Sequence, residues 1–353
     1  MNDRTTAVAY ALAAAALFGA SAPLAKLLLG GIRPVPLSSL LYLGSGIGLL
    51  LFMQASRLVP GARKREAPLG RTDIPWLAGA ILSGGVAAPI ALLYGLRSTP
   101  AATASLLLNA EGAVTALIAA VAFREAIGRR VWAAVVLVSA AAALLTLDLS
   151  GAWGIAPGAL LVVAACALWG LDNNLSRHLS AKDPVAVVAV KGTCAGAVSL
   201  LLALLLGEPL PGAGPALLAA ALGLCCYGLS IVLFLRALRG LGAARTGAYF
   251  AAAPFIGAAL SLIIFRGPPG PQFLLSLPLL LAGAWLLSSE RHGHAHAHER
   301  LEHDHAHDHA DGHHGHAHPD GAGRGTHAHP HVHQSAVHDH PHSPDLHHRH
   351  DHG

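Results

Sequence analysis

The chain reads as a succession of long apolar runs separated by short clusters of Pro, Gly or charge. A helix rises about 1.5 Å per residue, so roughly 20 apolar residues cross the ~30 Å hydrocarbon core of a bilayer. Ten such runs occur, near 7–29, 36–56, 74–96, 101–123, 131–148, 156–177, 184–206, 215–237, 243–265 and 271–289. Unpaired backbone groups are costly in lipid, so each run is expected to be helical throughout, except where a break lines a cavity. The expected fold is an all-α membrane protein of ten transmembrane helices. The first run also resembles a cleaved signal peptide, with Arg4 at its start and the small residues Gly19-Ala20-Ser21-Ala22 further on. It continues past that point to Leu29, and we read it as a span.

Composition agrees with lipid. Of the 353 residues, 54% are hydrophobic and 12% charged, with a mean hydropathy of +0.53, where soluble domains carry about 25% charged residues. The net charge of +4 is spread over short loops and gives no reason to expect a nucleic-acid partner. Thirteen Lys and Arg fall in the even-numbered loops and three, Arg33, Arg97 and Arg266, in the odd-numbered ones. Short loops rich in Lys and Arg stay in the cytoplasm. The expectation is a multi-pass protein of the bacterial inner membrane with both termini cytoplasmic. Cys166, Cys194, Cys225 and Cys226 lie in apolar runs without C-x-x-C spacing and read as small membrane-embedded residues.

The halves repeat. Ala-Leu-Phe18-Gly19 in the first run matches Ala-Leu-Trp169-Gly170 in the sixth at an offset of 151. The fourth and ninth runs match at an offset of 142, aligning Thr103 with Arg245 and Phe123 with Phe265. Two five-span repeats must lie inverted in the membrane because five is odd, a common plan for secondary carriers. The expected units are residues 1–150 and 151–289, each a five-helix repeat, followed by a tail over 290–353.

These features are similar to the EamA-type proteins of the drug/metabolite transporter superfamily. The resemblance rests on Phe18-Gly19 with Lys26 following, on Trp169-Gly170, and on the segment from Pro100 through Asn109 and Glu111-Gly112 to Phe123-Arg124-Glu125. It covers about 7–289. Such proteins often show Glu-Pro at Glu111-Gly112 and Gly-Glu at Arg124-Glu125, and the second half keeps Ala253-Pro254 without the acid. The resemblance implies gradient-driven export of small metabolites, drugs or ions. No Walker-type Gly-Lys-Ser/Thr is present.

Ionisable groups inside spans are costly and mark function by default. Four charged side chains lie more than two residues inside the ends of the runs: Lys26, Glu111, Asp172 and Lys191. Glu111, near the midplane and two positions after Asn109, is a candidate proton or cation carrier, or else a carboxyl bonded to a neighbouring helix. Asp172 and Lys191 sit at matching depth on consecutive antiparallel runs and are expected to pair, since a lone buried charge costs several kcal/mol. Asn173 and Asn174 adjoin them. Lys26, close to the outer end of the first span, either lines the pathway or snorkels to the headgroups. Trp169 is a further candidate lining residue, and Gly44, Gly46 and Gly48 read as helix-packing positions.

From Glu290 the composition changes. Of 24 histidines, 23 fall in residues 292–353, among Asp, Ala, Gly and Pro with almost nothing to pack, so the tail is expected to be disordered. Candidate ligands are His294, His296, His298, His303, His305, His307, His309, His313, His314, His316 and His318. Imidazole suits Zn, Ni and Co, and the absence of Cys and Met from the tail argues against Cu(I).

The chain is read as a transporter, not an enzyme, since no nucleophile–base set appears in the runs and nothing calls for a cofactor. Its partners are the lipid bilayer and a small-molecule or metal-ion substrate, with the oligomeric state left open. The first expectation for the substrate is a divalent ion, Ni, Co or Zn, collected by the tail. The alternatives are an exporter of amino acids or other small organic metabolites with a metal-sensing tail, and a membrane-anchored metal chaperone or sensor that moves nothing.

Overall fold

The computed structural model describes residues 3–57, 67–123, 128–148, 154–179 and 182–288, with the backbone of four short strands beyond. Ten helices form the body: α1 (Asp3–Leu28), α2 (Pro34–Arg57), α3 (Arg71–Ser98), α4 (Ala101–Ala122) and α5 (Arg129–Thr146), then α6 (Pro157–Leu179), α7 (Pro184–Leu205), α8 (Ala213–Leu241), α9 (Ala243–Phe265) and α10 (Pro271–Ser288). Among the described residues, nine are long and apolar enough to cross a membrane. The tenth expected span is the exception: its apolar stretch, Pro271–Leu287, is shorter and holds Pro278. At ~1.5 Å per residue it reaches roughly 26 Å, a few ångströms less than the hydrocarbon core.

Local chemistry sets the ends. Pro157, Pro184 and Pro271 open α6, α7 and α10, where the missing N–H removes no helical bond. Asp183 caps α7, its carboxylate accepting from the backbone N–H of Val185 at 3.0 Å and Ala186 at 3.2 Å. Gly242, at φ 79°, turns the chain from α8 into α9.

Helix α1 packs on α8 and α9, α2 on α7 and α8, α3 and α4 on α6, and α10 on α5. The glycines of α2 fit the packing role: a Cβ on Gly44 would overlap Ala220 of α8, and one on Gly46 would overlap Gly192 and Thr193 of α7. Small residues let backbones approach where lipid supplies no hydrophobic drive between helices. Leu37, Leu41, Leu93, Leu96, Leu106 and Leu107 fill the centre, fully buried. Of the cysteines, Cys166 and Cys226 are buried and Cys194 and Cys225 exposed, none paired.

The spans are not uniform helices. Residues Ile81–Ala87 of α3 and Leu224–Leu229 of α8, each the third helix of its half, are wound as π-helix. Helices α4 and α9 are interrupted, at Leu108–Asn109 and Ala251–Ala252. The segment before the break is Ala101–Leu107, 7 residues, in α4 and Ala243–Phe250, 8 residues, in α9. Past the breaks the correspondence is therefore one residue later than the sequence alignment places it, and Glu111 answers to Pro254.

In the tail, Gly293–His298 pairs antiparallel with Ala336–Pro341, and Leu301–His307 with His327–His333, described at the backbone alone. The expected disorder of 290–353 and the metal ligands from His294 to His318 lie outside the residues whose side chains are described.

Candidate functional site

The break in α4 builds the site. Helical bonding runs Leu108 N–H to Ala104 C=O at 3.2 Å, then shortens to Asn109 N–H to Leu106 C=O at 3.1 Å and Glu111 N–H to Leu108 C=O at 3.1 Å. The Asn109 amide also donates to the Leu106 carbonyl at 2.9 Å, so this candidate satisfies the break itself. The second segment, Ala110–Ala122, then opens with Glu111 in its first turn. Unbonded N–H groups and the positive end of the helix dipole favour a carboxylate there.

Glu111 is half-buried. Its Oε1 accepts from Asn173 Nδ2 of α6 at 2.9 Å, and the same amide reaches Thr115 Oγ1 at 3.2 Å. Asn173 is exposed, so this polar face is open. Asn174, buried, donates to the carbonyls of Thr115 at 3.1 Å and Gly170 at 2.8 Å, tying α6 to α4. Among the described residues Glu111 has no cationic partner. Thr115 and Asn173 complete the site; Thr115 carries no sequence signal of its own, while Asn173 adjoins Asp172.

Asp172 and Lys191 are in contact, as their depth predicts. Lys191 Nζ donates to Asp172 Oδ2, and Ser176 Oγ donates to Oδ1 at 2.9 Å. Asp172 is only 4% exposed, so a bonded partner on each oxygen is what keeps a carboxylate there. The pair sits against the π segment of α3, where a Cβ on Gly84 would overlap the Asp172 carboxylate. Winding to i→i+5 bonds turns a carbonyl aside from its ordinary acceptor role. The Gly84 carbonyl accepts instead from Tyr42 Oη at 2.9 Å and Trp169 Nε1 at 3.0 Å. Trp169 thus holds α6 to α3 by its ring nitrogen while staying half-buried.

The two aromatic–glycine motifs do matching work. Gly19 lets α1 lie on Ala253 and Gly257 of α9, and Gly170 lets α6 lie on Val114 and Thr115 of α4, both just past the breaks. Phe18 joins a run of rings: Phe234 to Phe250 at 5.0 Å, Phe250 to Phe18 at 5.3 Å, Phe18 to Tyr227 at 6.2 Å and Tyr227 to Tyr42 at 5.8 Å. The apolar wall from α1, α2, α8 and α9 complements the polar face from α4 and α6. Such a mix of aromatic surface with few placed polar groups is the usual make-up of a small-molecule site.

Lys26 lies apart, at the far end of α1, where Nζ donates to the Thr99 carbonyl between α3 and α4. At the opposite, basic end Lys182 pairs with Asp73 at 3.4 Å and His178 stacks on Trp76 at 3.7 Å. Among the described residues, no group of three or more His, Cys, Asp or Glu is placed to hold a metal ion.

The EamA-like transporter family model matches the chain over residues 5–147 and again over 156–289. An uncharacterized transporter of Methanothermobacter thermautotrophicus strain Delta H is 32% identical over 292 residues, covering 78% of this chain and 84% of the relative. A protein of known crystal structure superposes with a TM-score of 0.56 over 79% of this chain and 94% of its own, at 21% identity, a likeness of fold. With span-length apolar helices, discontinuous fourth and ninth helices and a family match over both halves, the chain is a multi-pass membrane protein and belongs to the EamA-like transporter family.

Proposed function

We propose that the protein is a secondary exporter of an amino acid or other small amine-bearing metabolite, held between the polar face of α4 and α6 and the aromatic wall. The observation that carries this is Glu111: a half-buried membrane carboxylate at a helix break, bonded to an exposed amide and without a cationic partner among the described residues. An ammonium group supplies the missing charge. Asp172 and Lys191 neutralise each other and fix α6 against α7, which leaves Glu111 to read the solute and to exchange a proton for it. The two five-helix units, 1–150 and 151–289, are inverted repeats in this reading, and the paired breaks and π segments support it. The surplus of basic residues in the even loops puts both termini, and the tail, in the cytoplasm of the bacterial inner membrane.

A second reading is favoured by the 23 tail histidines: export of Zn, Ni or Co, with the tail collecting the ion. The spans weigh against it, offering no cluster of three ligands among the described residues. If neither class of solute moves, the chaperone or sensor reading takes their place. Proteoliposomes with the full chain and a version ending at Ser289 decide between them, tested with radiolabelled amines and amino acids and with the three metals. The expected result is organic flux in both versions, lowered by Glu111→Gln. Metal flux alone, or no flux of any solute, overturns the proposal.

A further inference from the structure

A cavity lies at the end of the bundle away from the basic loops, and no role in the transport reading uses it. It encloses about 280 Å³ between the end of α1, the start of α4, the end of α9 and the start of α10. Its polar side chains are Lys26, Thr103 and Ser261, its apolar walls include Phe265 and Phe273, and no lining residue is acidic. Lys26 is placed, not loose: the bond to the Thr99 carbonyl uses one of its three N–H groups and holds the ammonium at the cavity wall. The surroundings add to its charge. Arg33 and Arg266 lie in the connections at this end and Arg97 in the last turn of α3, against Asp148 and Glu208, and Glu208 is engaged by the Tyr94 hydroxyl at 3.4 Å. A surplus of positive charge at one end of the bundle, together with Lys26 on low-dielectric walls, favours anions there.

We propose that this cavity is an anion subsite for a small organic acid, a carboxylate on an apolar or aromatic body. The Lys26 ammonium takes the carboxylate, Thr103 lies within the same wall to donate to it, and Phe265 and Phe273 cover the body. A bare inorganic anion would use the charge and leave the aromatic walls wet, so the cavity selects for the organic part. The site is separate from Glu111 in position and in sign, and the inference does not rest on the transport reading.

The chain has four lysines, Lys26, Lys64, Lys182 and Lys191. Reductive ¹³C-methylation of the full chain in phospholipid-free detergent micelles therefore gives few signals, with Lys26 assigned by its loss in the charge-preserving Lys26→Arg. Titration with sodium benzoate is expected to shift the Lys26 signal saturably while Lys64 and Lys182 stay in place, with acetate and inorganic phosphate about tenfold weaker for lack of a buried ring. A Cβ on Gly267, at the cavity mouth, meets nothing within 4 Å. Gly267→Trp, whose Cβ starts without a clash beside the cavity lining, is expected to abolish the shift by crowding the space, with a thermal melt confirming that the variant is folded. Three outcomes overturn the proposal: no saturable shift, equal shifts at all lysines, or phosphate acting as strongly as benzoate. A benzoate shift that persists in Gly267→Trp overturns it as well.

Discussion

Three charged side chains within the spans, Glu111, Asp172 and Lys191, carry different duties, separated by their partners. Asp172 has a donor on each oxygen and is buried, whereas Glu111 has one amide and an open face. Removing one member of a buried pair strands the other charge, at a cost of about 3–5 kcal/mol. Asp172→Asn and Lys191→Met are each expected to lower the unfolding midpoint sharply in detergent. The double variant should recover most of the loss, because no charge is left unpaired; a double variant as unstable as the singles would show that the pair does more than neutralise itself. Glu111→Gln keeps the shape and the bond from Asn173 while removing the charge. A hydrogen bond to a charged group contributes ~1.5–3 kcal/mol, so solute affinity should fall by about ten- to a hundredfold with little change in stability. Binding measured by scintillation proximity checks the first, and a thermal melt the second.

At the scale of elements, the ten apolar runs were readable because the hydrocarbon core imposes a length that composition alone satisfies. The Asp172–Lys191 contact was readable for a related reason: two charges at one depth on adjacent antiparallel helices have few alternatives. The π segments were not. Nothing within Ile81–Ala87 or Leu224–Leu229 marks a change of winding; at the first, Pro89 just beyond it has no N–H to give the preceding turn, and donors from other helices, Tyr42 and Trp169, take the Gly84 carbonyl. The break in α9 has a local cause in Pro254, which lacks the N–H for helical bonding. The break in α4 has no proline; there the Asn109 side chain donates to the Leu106 carbonyl at the break. Gly84→Ala tests the π segment directly. Its Cβ would overlap the Asp172 carboxylate, and overpacking of this kind costs typically ~1–3 kcal/mol. The expected outcome is a destabilised protein in a thermal melt, with the added cost of Gly84→Ala smaller in an Asp172→Ala, Lys191→Met background, where no carboxylate meets the new Cβ and no charge is stranded.

On the scale of the whole molecule, the two broken helices meet unequally. The first segment of α4, Ala101–Leu107, packs on the last segment of α9, Ala253–Phe265, with Ser105 against Gly257. Among the described residues, no packing of that kind joins Ala110–Ala122 to Ala243–Phe250. The bundle is therefore closed at the end that carries Lys26 and open toward the end with the basic loops, where Asn173 is exposed beside Glu111. In the proposed orientation, with the basic loops cytoplasmic, this geometry corresponds to an inward-facing state, and it sets what a reagent is expected to reach. In a background with all four cysteines replaced, Asn173→Cys should react with a membrane-impermeant maleimide in inside-out vesicles and resist it in right-side-out ones. A transported solute should slow the labelling by occupying the face. If the two vesicle orientations react in reverse, the charge rule has been misapplied and the open end faces outward. If both react equally, the packing of Ser105 on Gly257 does not seal the far end, and alternating access has to be sought in another pair of helices.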